Sequence, residues 1–586
     1  MIDALAYLTS SVLPPLKNIF LSLAHNIEFM PENKRTKAQE ATQAIERIYI
    51  TMRHLFNRGF YKPMGVSGTT LREGLLELQP EIYGSIAEEK VELNGLIYVL
   101  DRLPAGIEEC SAINLTGDEG YRLSKIPPII PPKRRRNCYR VDDHQMNIEI
   151  TRGRSDIYDV LTHLTFLFIE SHKIAQRAVI DDDGKLTREW QILEETALKK
   201  KVSNKELEIA FVHTANILGR TFEEVLVIHR MLDKDNPSRL LRVIYWLGRL
   251  AIDELLDENK RMIMFSPVLR ERLGHHIHGD RWANNIKSLL EQHGLIDRSI
   301  HIISANMHSV MNFLYAKQTL KGKSKSTGKK DVFEMLSQPD NEKQREQILS
   351  LAEKMGMIYY KDTSGTNIDV QLFDLSKIDL SSSFLPGDSS NDVLIVMDYA
   401  FGEQAYETMD ELLKPFKKAK DGPRKIDVKS VSIMGKAGIL NGIKGDVMIP
   451  SAHIFEGTAD NYPFDNILQK SDFEGEGLSV YEGPMITVLG TSLQNKEMLR
   501  YFKKSTWNVI GLEMEGAHYQ KAIQAASKIR NSIGKDVRIA YAYYASDNPL
   551  ETGSTLASGG LGLTGVKPTY LITEKILMQI VGKKES

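Results

Sequence analysis

Short apolar runs that alternate with helical segments are the feature that most constrains how this chain folds. In its last third, DVLIVMDYA is a β-branched apolar run that leads directly into the helical segment EQAYETMDELLKPF. Further strand-like runs follow, and a helical segment closes the pattern: VKSVSIMGKAGIL, GDVMIPSAHIF, PMITVLGTSL, VRIAYAYYASD and TYLITEKILMQIVGKK. Such alternation predicts an α/β domain over residues 389–586, with a mostly parallel central sheet and flanking helices. We expect its catalytic groups at the carboxyl ends of the strands.

The rest of the chain predicts a separate, mainly α-helical N-terminal region. A chain of 586 residues exceeds the roughly 250–300 residues at which single hydrophobic cores stop growing, so two or three domains are expected. Residues 1–320 carry apolar side chains at three- and four-residue spacing, which is typical of amphipathic helices. Ser155 is the predicted cap of one helix, and Ser203 with Glu206 is the predicted capping box of another.

Two stretches interrupt this helical pattern. IPPIIPPKRRR, at 126–136, joins paired prolines to a basic cluster and predicts an extended, solvated loop, with a subdivision of the region near 126–145. KGKSKSTGKKD, at 321–331, contains no apolar residue and predicts a linker. Residues 321–388 are therefore predicted to be this linker and a small mixed segment ahead of the α/β domain.

Composition excludes several classes of protein. The formal net charge is -2 and the basic stretches are short and isolated, so we expect solvated loops there and no nucleic-acid partner. No run approaches the about 18 apolar residues of a membrane span, and the opening segment lacks the pattern of a signal peptide. The two cysteines, Cys110 and Cys138, are too few for a disulfide scaffold and are typical of a reducing compartment. These features predict a cytoplasmic protein without a membrane partner.

The sequence Glu513-Met514-Glu515-Gly516 lies where a predicted strand meets a helix. A carboxylate at a strand end suits the recognition of vicinal hydroxyls, because its two oxygens can accept both O–H donors. The alternative is that these glutamates simply begin a helix, where negative charge is favourable.

Two further motifs are candidates for chemistry. In Ser546-Asp547-Asn548-Pro549-Leu550 an acid follows an apolar strand directly, so its pKa would rise and it could donate a proton; the alternative is a turn before the proline. In Gly435-Lys436-Ala437-Gly438 glycines after a strand let backbone N–H groups approach an anion, and Lys436 adds positive charge; the alternative is an ordinary turn with a solvated lysine.

The order of these motifs resembles the nucleoside phosphorylase and nucleosidase superfamily. The sequence GKAG, then GDVMIPSA, TVLGTS, GLEMEGA and finally YYASDNPL matches that family's pattern over residues 392–584. The SDNPL ending looks most like the AMP nucleosidase branch. The resemblance implies a phosphorylase-like α/β fold, a purine nucleotide or nucleoside as substrate, and a homo-oligomer.

The resemblance also implies roles for single residues. Asp547 would protonate N7 of the purine, Glu515 would hold the ribose hydroxyls, and Glu403 would orient the attacking water after the domain's first strand, with Asp398 as a competitor. The other residues implied to bind substrate, phosphate or the nucleophile are Met514, Glu513, Thr491, Ser492, Ser546, Gly435, Lys436 and Gly438.

Two departures from the family pattern bear on the nucleophile. Lys436 replaces a small residue, and Ile439 stands where a second glycine is usual. A lysine could meet a nucleotide phosphate as easily as inorganic phosphate, so phosphate remains open as a co-substrate or effector. The segment LIVMDYAFGEQ lacks the family's arginine for phosphate, which favours hydrolysis.

No other cofactor is predicted. HHIHGD, at 275–280, has a spacing that could bind a metal, but a polar surface segment is favoured and no metal site is assigned.

The sequence therefore predicts a purine N-glycosidase, of the AMP nucleosidase type, that hydrolyses an adenine-containing nucleotide or nucleoside. One alternative is a phosphate-dependent purine nucleoside phosphorylase. A second is a nucleotide sensor with little turnover, in which the helical region is the output module.

Overall fold

The structure is a computed structural model, and it describes most of the chain. The described residues are 36–181, 183–232, 236–256, 260–320, 328–385, 387, 390–417, 422–456, 458, 460–551 and 562–581. The opening segment and most of the predicted linker at 321–331 lie outside these residues. None of the described helices is both long enough and apolar enough to cross a membrane.

Helices form most of the N-terminal region, which we define as residues 36–272. They are α1 Lys37–Arg58, α2 Thr69–Leu78, α3 Leu93–Leu100, α4 Gly153–Ala178, α5 Arg188–Ala197, α6 Asn204–Leu218, α7 Phe222–Leu232, α8 Arg239–Leu256 and α9 Pro267–Arg272. Helix α1 begins at a capping box of Thr36 and Gln39 and ends at Gly59, whose φ of 96° is the left-handed conformation of a helix C-cap. Helix α4 is buried along most of its length and packs against α8 at the centre of this region.

The two predicted helix caps have different outcomes. The capping box of Ser203 and Glu206 is confirmed at the start of α6. The predicted cap at Ser155 is wrong, because α4 begins two residues earlier, at Gly153. The Ser155 hydroxyl instead accepts a hydrogen bond of 2.9 Å from the backbone N–H of Glu403, and so joins two distant parts of the chain.

The N-terminal region also contains a five-stranded sheet that the sequence did not predict. Its strands are β1 Phe60–Tyr61, β2 Ala112–Thr116, β3 Cys138–Arg140, β4 Gln145–Glu149 and β5 Met262–Phe265, in the order β1-β5-β2-β4-β3. These strands have two to five residues each, which is too short for an alternating pattern to stand out from the helical periodicity around them.

A ten-stranded sheet organises residues 277–581, which we call the large-sheet region. Its strands are β6 Ser299–Ser304, β7 Ile358–Tyr360, β8 Val370–Asp374, β9 Val393–Met397, β10 Asp427–Ile439, β11 Val447–Phe455, β12 Asn461–Pro463, β13 Val480–Thr487, β14 Gly511–Glu513 and β15 Arg538–Asp547. Its helices are α10 Ile277–Gln292, α11 Met307–Thr319, α12 Lys329–Leu336, α13 Glu342–Lys354, α14 Gln404–Leu412, α15 Lys496–Lys504, α16 Gly516–Gln524 and α17 Val566–Val581.

The large sheet is mixed, whereas the sequence predicted a mostly parallel one. The strands β9, β6, β10 and β15 run parallel to one another in that order, and β13 runs parallel to both β11 and β14. Antiparallel pairs then join β10 to β14, β11 to β15 and to β12, and β8 to both β7 and β9. The apolar runs contain no sign of strand direction, because buried strands look alike in both kinds of ladder.

The large sheet starts ahead of the predicted domain boundary at residue 389. Strand β6 lies between β9 and β10 near the centre of the sheet, and α10 packs beside α14. Apolar cores cover both faces: Trp282 and Tyr541 belong to one, Phe313 and Phe373 to the other. One strand, β6, and two helices, α10 and α11, from before residue 321 therefore complete the large-sheet region.

Candidate functional site

A cavity of about 320 Å³ lies where the large sheet meets the N-terminal region. Its floor is formed by the carboxyl-terminal parts of β10, β14 and β15, together with Ser304 at the end of β6. This volume is within the range of about 300–1,000 Å³ that small-molecule sites span. The cavity therefore lies at strand ends, which is where the catalytic groups are expected.

Most of the predicted site residues line this one cavity. They are Asp547, Glu515, Met514, Glu513, Thr491, Ser546, Gly435, Lys436 and Gly438. Ser492 is buried and lines a small adjoining cavity, which it shares with Thr491 and Met514. Glu403 lies outside the lining of both.

Glu513 shapes the turn from β14 into α16. Its carboxylate accepts hydrogen bonds from the backbone N–H groups of Glu515 and Gly516 and from the Thr487 hydroxyl. Burial alone would raise the pKa of Glu513, but His453 and these hydrogen bonds outweigh it, and the pKa is lowered. Because its oxygens are occupied in this way, Glu513 is an anchor for the turn and has little capacity left for a substrate.

Glu515 has more of its hydrogen-bonding capacity free. Its Oε1 accepts one hydrogen bond of 2.9 Å, from the backbone N–H of Gly402. Burial and the neighbouring Glu513 carboxylate raise the pKa of Glu515 to about 8. Gly402 has a φ of 53°, and a Cβ there would collide with the Ser155 hydroxyl, so glycine is required where this loop approaches the site.

Asp547 is the buried acid of the cavity, at the end of β15. Its Oδ1 accepts a hydrogen bond from the Ser546 hydroxyl, and its Oδ2 is buried without a partner among the described residues. Burial raises the pKa of Asp547 above its usual range, and the hydrogen bond from Ser546 offsets part of that rise. The protonated form of Asp547 would therefore hold its proton on Oδ2, the unpartnered oxygen.

The glycines of the GKAG motif lie within β10, where the sequence predicted a turn after a strand. Gly435 pairs with Tyr543 of β15 and Gly438 with Asp547, and the register shifts between Ala437 and Gly438. The side chain of Lys436 is exposed and lines the cavity, and no described residue forms an ion pair with it. The motif therefore brings one positive charge to the wall that Asp547 occupies.

Glu403 forms a link between the two regions of the chain. Its carboxylate accepts hydrogen bonds from the Arg154 guanidinium, at 2.8 Å, and from the Arg154 backbone N–H, at 2.9 Å. Its competitor Asp398 pairs with Arg135 at 2.6 Å. Both carboxylates that the sequence offered for orienting water are therefore already paired with arginines.

The identification of Glu403 also depended on which strand comes first. In chain order the first strand of the large sheet is β6, and β9, which precedes Glu403, comes later. The residues after β6 are Ala305, Asn306 and Met307, none of which is a carboxylate. The sequence analysis did not identify the strand SIHIIS, because the segments on both sides of it have a helical pattern.

Three residues of the N-terminal region also line the cavity, and the sequence analysis missed them. They are Tyr98 of α3, Arg102 just after it, and Arg134 of the basic cluster. The prediction of a solvated cluster at 134–136 is wrong for two of its members. Arg136 is fully buried against Asp156, and Arg134 is largely buried in a two-pronged pair with Asp159.

The histidines of the segment 275–280 do not lie together in one cluster. His276 alone of its histidines lies with Asp410 and Glu411, close enough to share an ion. Lys414 already forms ion pairs with both of these carboxylates. The arrangement is therefore an ion-pair network at the end of α14, in which both carboxylates are buried.

Comparisons with known proteins cover both regions of the chain. A model of a family of unknown function, DUF6909, matches residues 69–324 and 333–582. A search of the curated proteins found no significant match.

Among solved structures, the chain is similar to the 5′-methylthioadenosine/S-adenosyl homocysteine nucleosidase of Campylobacter jejuni, with 11% identity, 49% of this chain and 100% of that chain covered, and a TM-score of 0.30. It is also similar to a futalosine hydrolase mutant of Helicobacter pylori, with 12% identity, 48% of this chain and 99% of that chain covered, and a TM-score of 0.30. The 5′-methylthioadenosine nucleosidase of Arabidopsis thaliana is 12% identical, with 50% of this chain and 98% of that chain covered and a TM-score of 0.29. Values this low carry no conclusion about the activity of this chain.

Proposed function

The chain belongs to the DUF6909 family, a family of unknown function, and we propose that it is a purine N-glycosidase, which cleaves the bond between a purine base and ribose. One observation carries the proposal: Glu515 and Asp547 come from separate elements and line the same cavity, and each has an oxygen without a described partner. Glycosidic cleavage needs an acid for the leaving group and a group that holds the sugar, and these two carboxyls can supply one each.

Asp547 is suited to protonate the leaving base. Its raised pKa keeps it protonated closer to neutral pH than an ordinary aspartate. With Oδ1 occupied by Ser546, the proton on Oδ2 can be donated to N7 of a bound purine. The electrons of the breaking glycosidic bond then enter the protonated, positively charged base, which departs as a neutral molecule more readily than an unprotonated base departs as an anion.

Glu515 is suited to hold the ribose. As a carboxylate it can accept hydrogen bonds from two vicinal hydroxyls, and its negative charge stabilises the positive charge that develops on the sugar. Because its pKa is about 8, the carboxylate form becomes dominant only in mildly alkaline solution. The tyrosine rings of Tyr399 and Tyr543 add flat apolar walls to the same cavity, which suits a planar base.

Water is the nucleophile that we propose: its oxygen bonds to the anomeric carbon, and the proton that it loses replaces, through solvent, the one that Asp547 gave to the base. Glu403 is a positioning residue in this scheme, since its pairing with Arg154 fixes the loop that supplies Tyr399, Ala400 and Phe401 to the cavity wall. Phosphorolysis, in which inorganic phosphate attacks the sugar, is the second candidate, and the unpaired Lys436 in the cavity is the observation that favours it.

The test measures free base released from adenosine, AMP, methylthioadenosine, inosine and guanosine, each with and without inorganic phosphate. The wild type is compared with Asp547→Asn and with the control Asp536→Asn, which changes an exposed aspartate just before β15. We expect base release without phosphate, a loss of about 10²–10⁴-fold in Asp547→Asn, and no change in the control. Release only with phosphate would make the protein a phosphorylase. Binding of a purine compound without any release would leave a sensor and overturn the proposal.

A further inference from the structure

The side chain of Arg102 is held rigidly at the cavity wall. Its guanidinium carbon lies 3.4 Å from the centre of the Tyr98 ring, and its Nη1 donates a hydrogen bond of 2.8 Å to the Tyr98 carbonyl oxygen. Stacking and this hydrogen bond fix both the plane and the rotation of the guanidinium. Its position is therefore set before any ligand arrives.

The other edge of the same guanidinium is free. Nε of Arg102 is buried without a hydrogen-bond partner, and no described residue accepts a hydrogen bond from Nη2. These two N–H groups are parallel, and such an edge matches two oxygens of a carboxylate or phosphate. Burying a charged donor without a partner costs free energy of folding. An unpaired guanidinium edge at a cavity therefore indicates that an anionic ligand binds there.

The acidic residues nearby pair with other arginines. Arg134 occupies both oxygens of Asp159, and Arg136 pairs with Asp156 as well as with Asp159. Among the described residues no carboxylate forms an ion pair with Arg102. Arg102 is therefore left without an acidic partner among the described residues.

Lys436 adds a second unpaired cation to the same cavity, from the sheet side. We propose that Arg102 and Lys436 form a subsite for a phosphate group, which is either the phosphate of a nucleotide substrate or inorganic phosphate. This rests on the proposed function for the rest of the ligand, because Glu515 and Asp547 take the sugar and base. The N-terminal region then contributes Arg102 to the phosphate subsite and the large-sheet region contributes Lys436, while Glu515 and Asp547 face the rest of the ligand.

Calorimetric titration of the full chain tests the subsite without requiring turnover. The probes are AMP, adenosine and inorganic phosphate, and the proteins are the wild type, Arg102→Gln, Arg102→Lys and the control Arg500→Gln. Arg500 is exposed and pairs with Glu497 on its own helix. Equal thermal unfolding temperatures show that the Arg102 variants are folded.

If the phosphate belongs to the nucleotide, AMP binds the wild type at least tenfold more tightly than adenosine does. Arg102→Gln then loses at least tenfold in affinity for AMP and less than twofold for adenosine, with Arg102→Lys in between. If the source is inorganic phosphate, phosphate itself binds the wild type and Arg102→Gln abolishes that binding. Both results support the subsite and distinguish its two sources.

The subsite is overturned if neither AMP nor phosphate binds the wild type, or if Arg102→Gln binds both as the wild type does. It is also overturned if adenosine binding falls as much as AMP binding, since the arginine would then be structural. If Arg102→Gln weakens the binding of AMP or phosphate but no base is released from any substrate, the proposed function alone is refuted. Base release from AMP that depends on neither Arg102 nor inorganic phosphate would refute the subsite alone.

Discussion

Replacing Glu515 with glutamine should stabilise the protein, and the gain should grow as the pH rises. The pKa of Glu515 is about 8 in the folded protein, against an ordinary value of 4.5. Below pH 4.5 the carboxyl is protonated in both states and costs nothing. Between about 4.5 and 8 the unfolded chain is ionised while the folded protein keeps its proton, so stability is lost as the pH rises through this window.

The size of the effect follows from the two pKa values. Linkage gives a loss of about 1.4 kcal/mol at pH 5.5, about 3.4 kcal/mol at pH 7 and about 4.4 kcal/mol at pH 8, relative to a group that does not titrate. Glutamine has the shape of the protonated acid and does not titrate. Because solvent in the cavity screens part of this cost, we expect Glu515→Gln to be more stable by about 1–3 kcal/mol at pH 7.

The assay is thermal unfolding of both proteins at pH 5.5, 6.25, 7 and 8. The matched control is Glu513→Gln, two residues away, where the sign is opposite. The lowered pKa of Glu513 gives stability that is present above its ordinary pKa and is lost only as the pH falls. Glu513→Gln should therefore be less stable than the wild type, and this deficit should narrow as the pH rises, because the Glu513 carboxylate no longer raises the pKa of Glu515. A Glu515→Gln difference that is flat, or that shrinks with rising pH, would refute the reasoning.

Three other substitutions test the packing and the links around the site. A Cβ in Gly516→Ala would collide with the His453 ring, so we expect a lower Tm and a loss of about 1–3 kcal/mol; an unchanged Tm would show that the turn can relax. Asp156→Ala leaves the buried guanidinium of Arg136 short of a partner, and should cost about 3–5 kcal/mol; a stable variant would contradict this. Glu403→Gln removes a partly exposed ion pair, so stability should change by less than about 1 kcal/mol and base release should fall less than tenfold. A hundredfold fall would instead assign Glu403 to the attacking water.

Most residues of the candidate site could be predicted from the sequence. The Glu513–Glu515 and Ser546–Asp547 motifs end apolar runs, and strand ends in an α/β sheet converge on one edge, so their meeting in one cavity follows from pattern and topology. The different roles of Glu513 and Glu515 could not be predicted from the sequence. They depend on which carboxylate caps α16, and only the positions of Thr487 and Gly516 decide that.

The arginines of the cavity could not be predicted for a different reason. A run such as Arg134 to Arg136 normally remains in water, because burying a charge is costly. Here Asp156 and Asp159 lie on the buried face of α4 and pair with the run. The contact depends on packing between segments far apart in sequence. The signal that could have suggested it is those two acids, three residues apart, just ahead of the largely apolar stretch VLTHLTFLFI in the same helix.

The central claim, that Asp547 protonates the departing base, is tested most directly by changing the leaving group. The measurement is kcat/KM of the wild type and of Asp547→Asn on adenosine and on 4-nitrophenyl riboside, whose leaving group departs as a stable anion and needs no proton. We expect Asp547→Asn to lose at least about 100-fold on adenosine and less than tenfold on the nitrophenyl riboside. Equal losses on both substrates would contradict the claim, because Asp547 would then be needed for binding or folding and not for protonation.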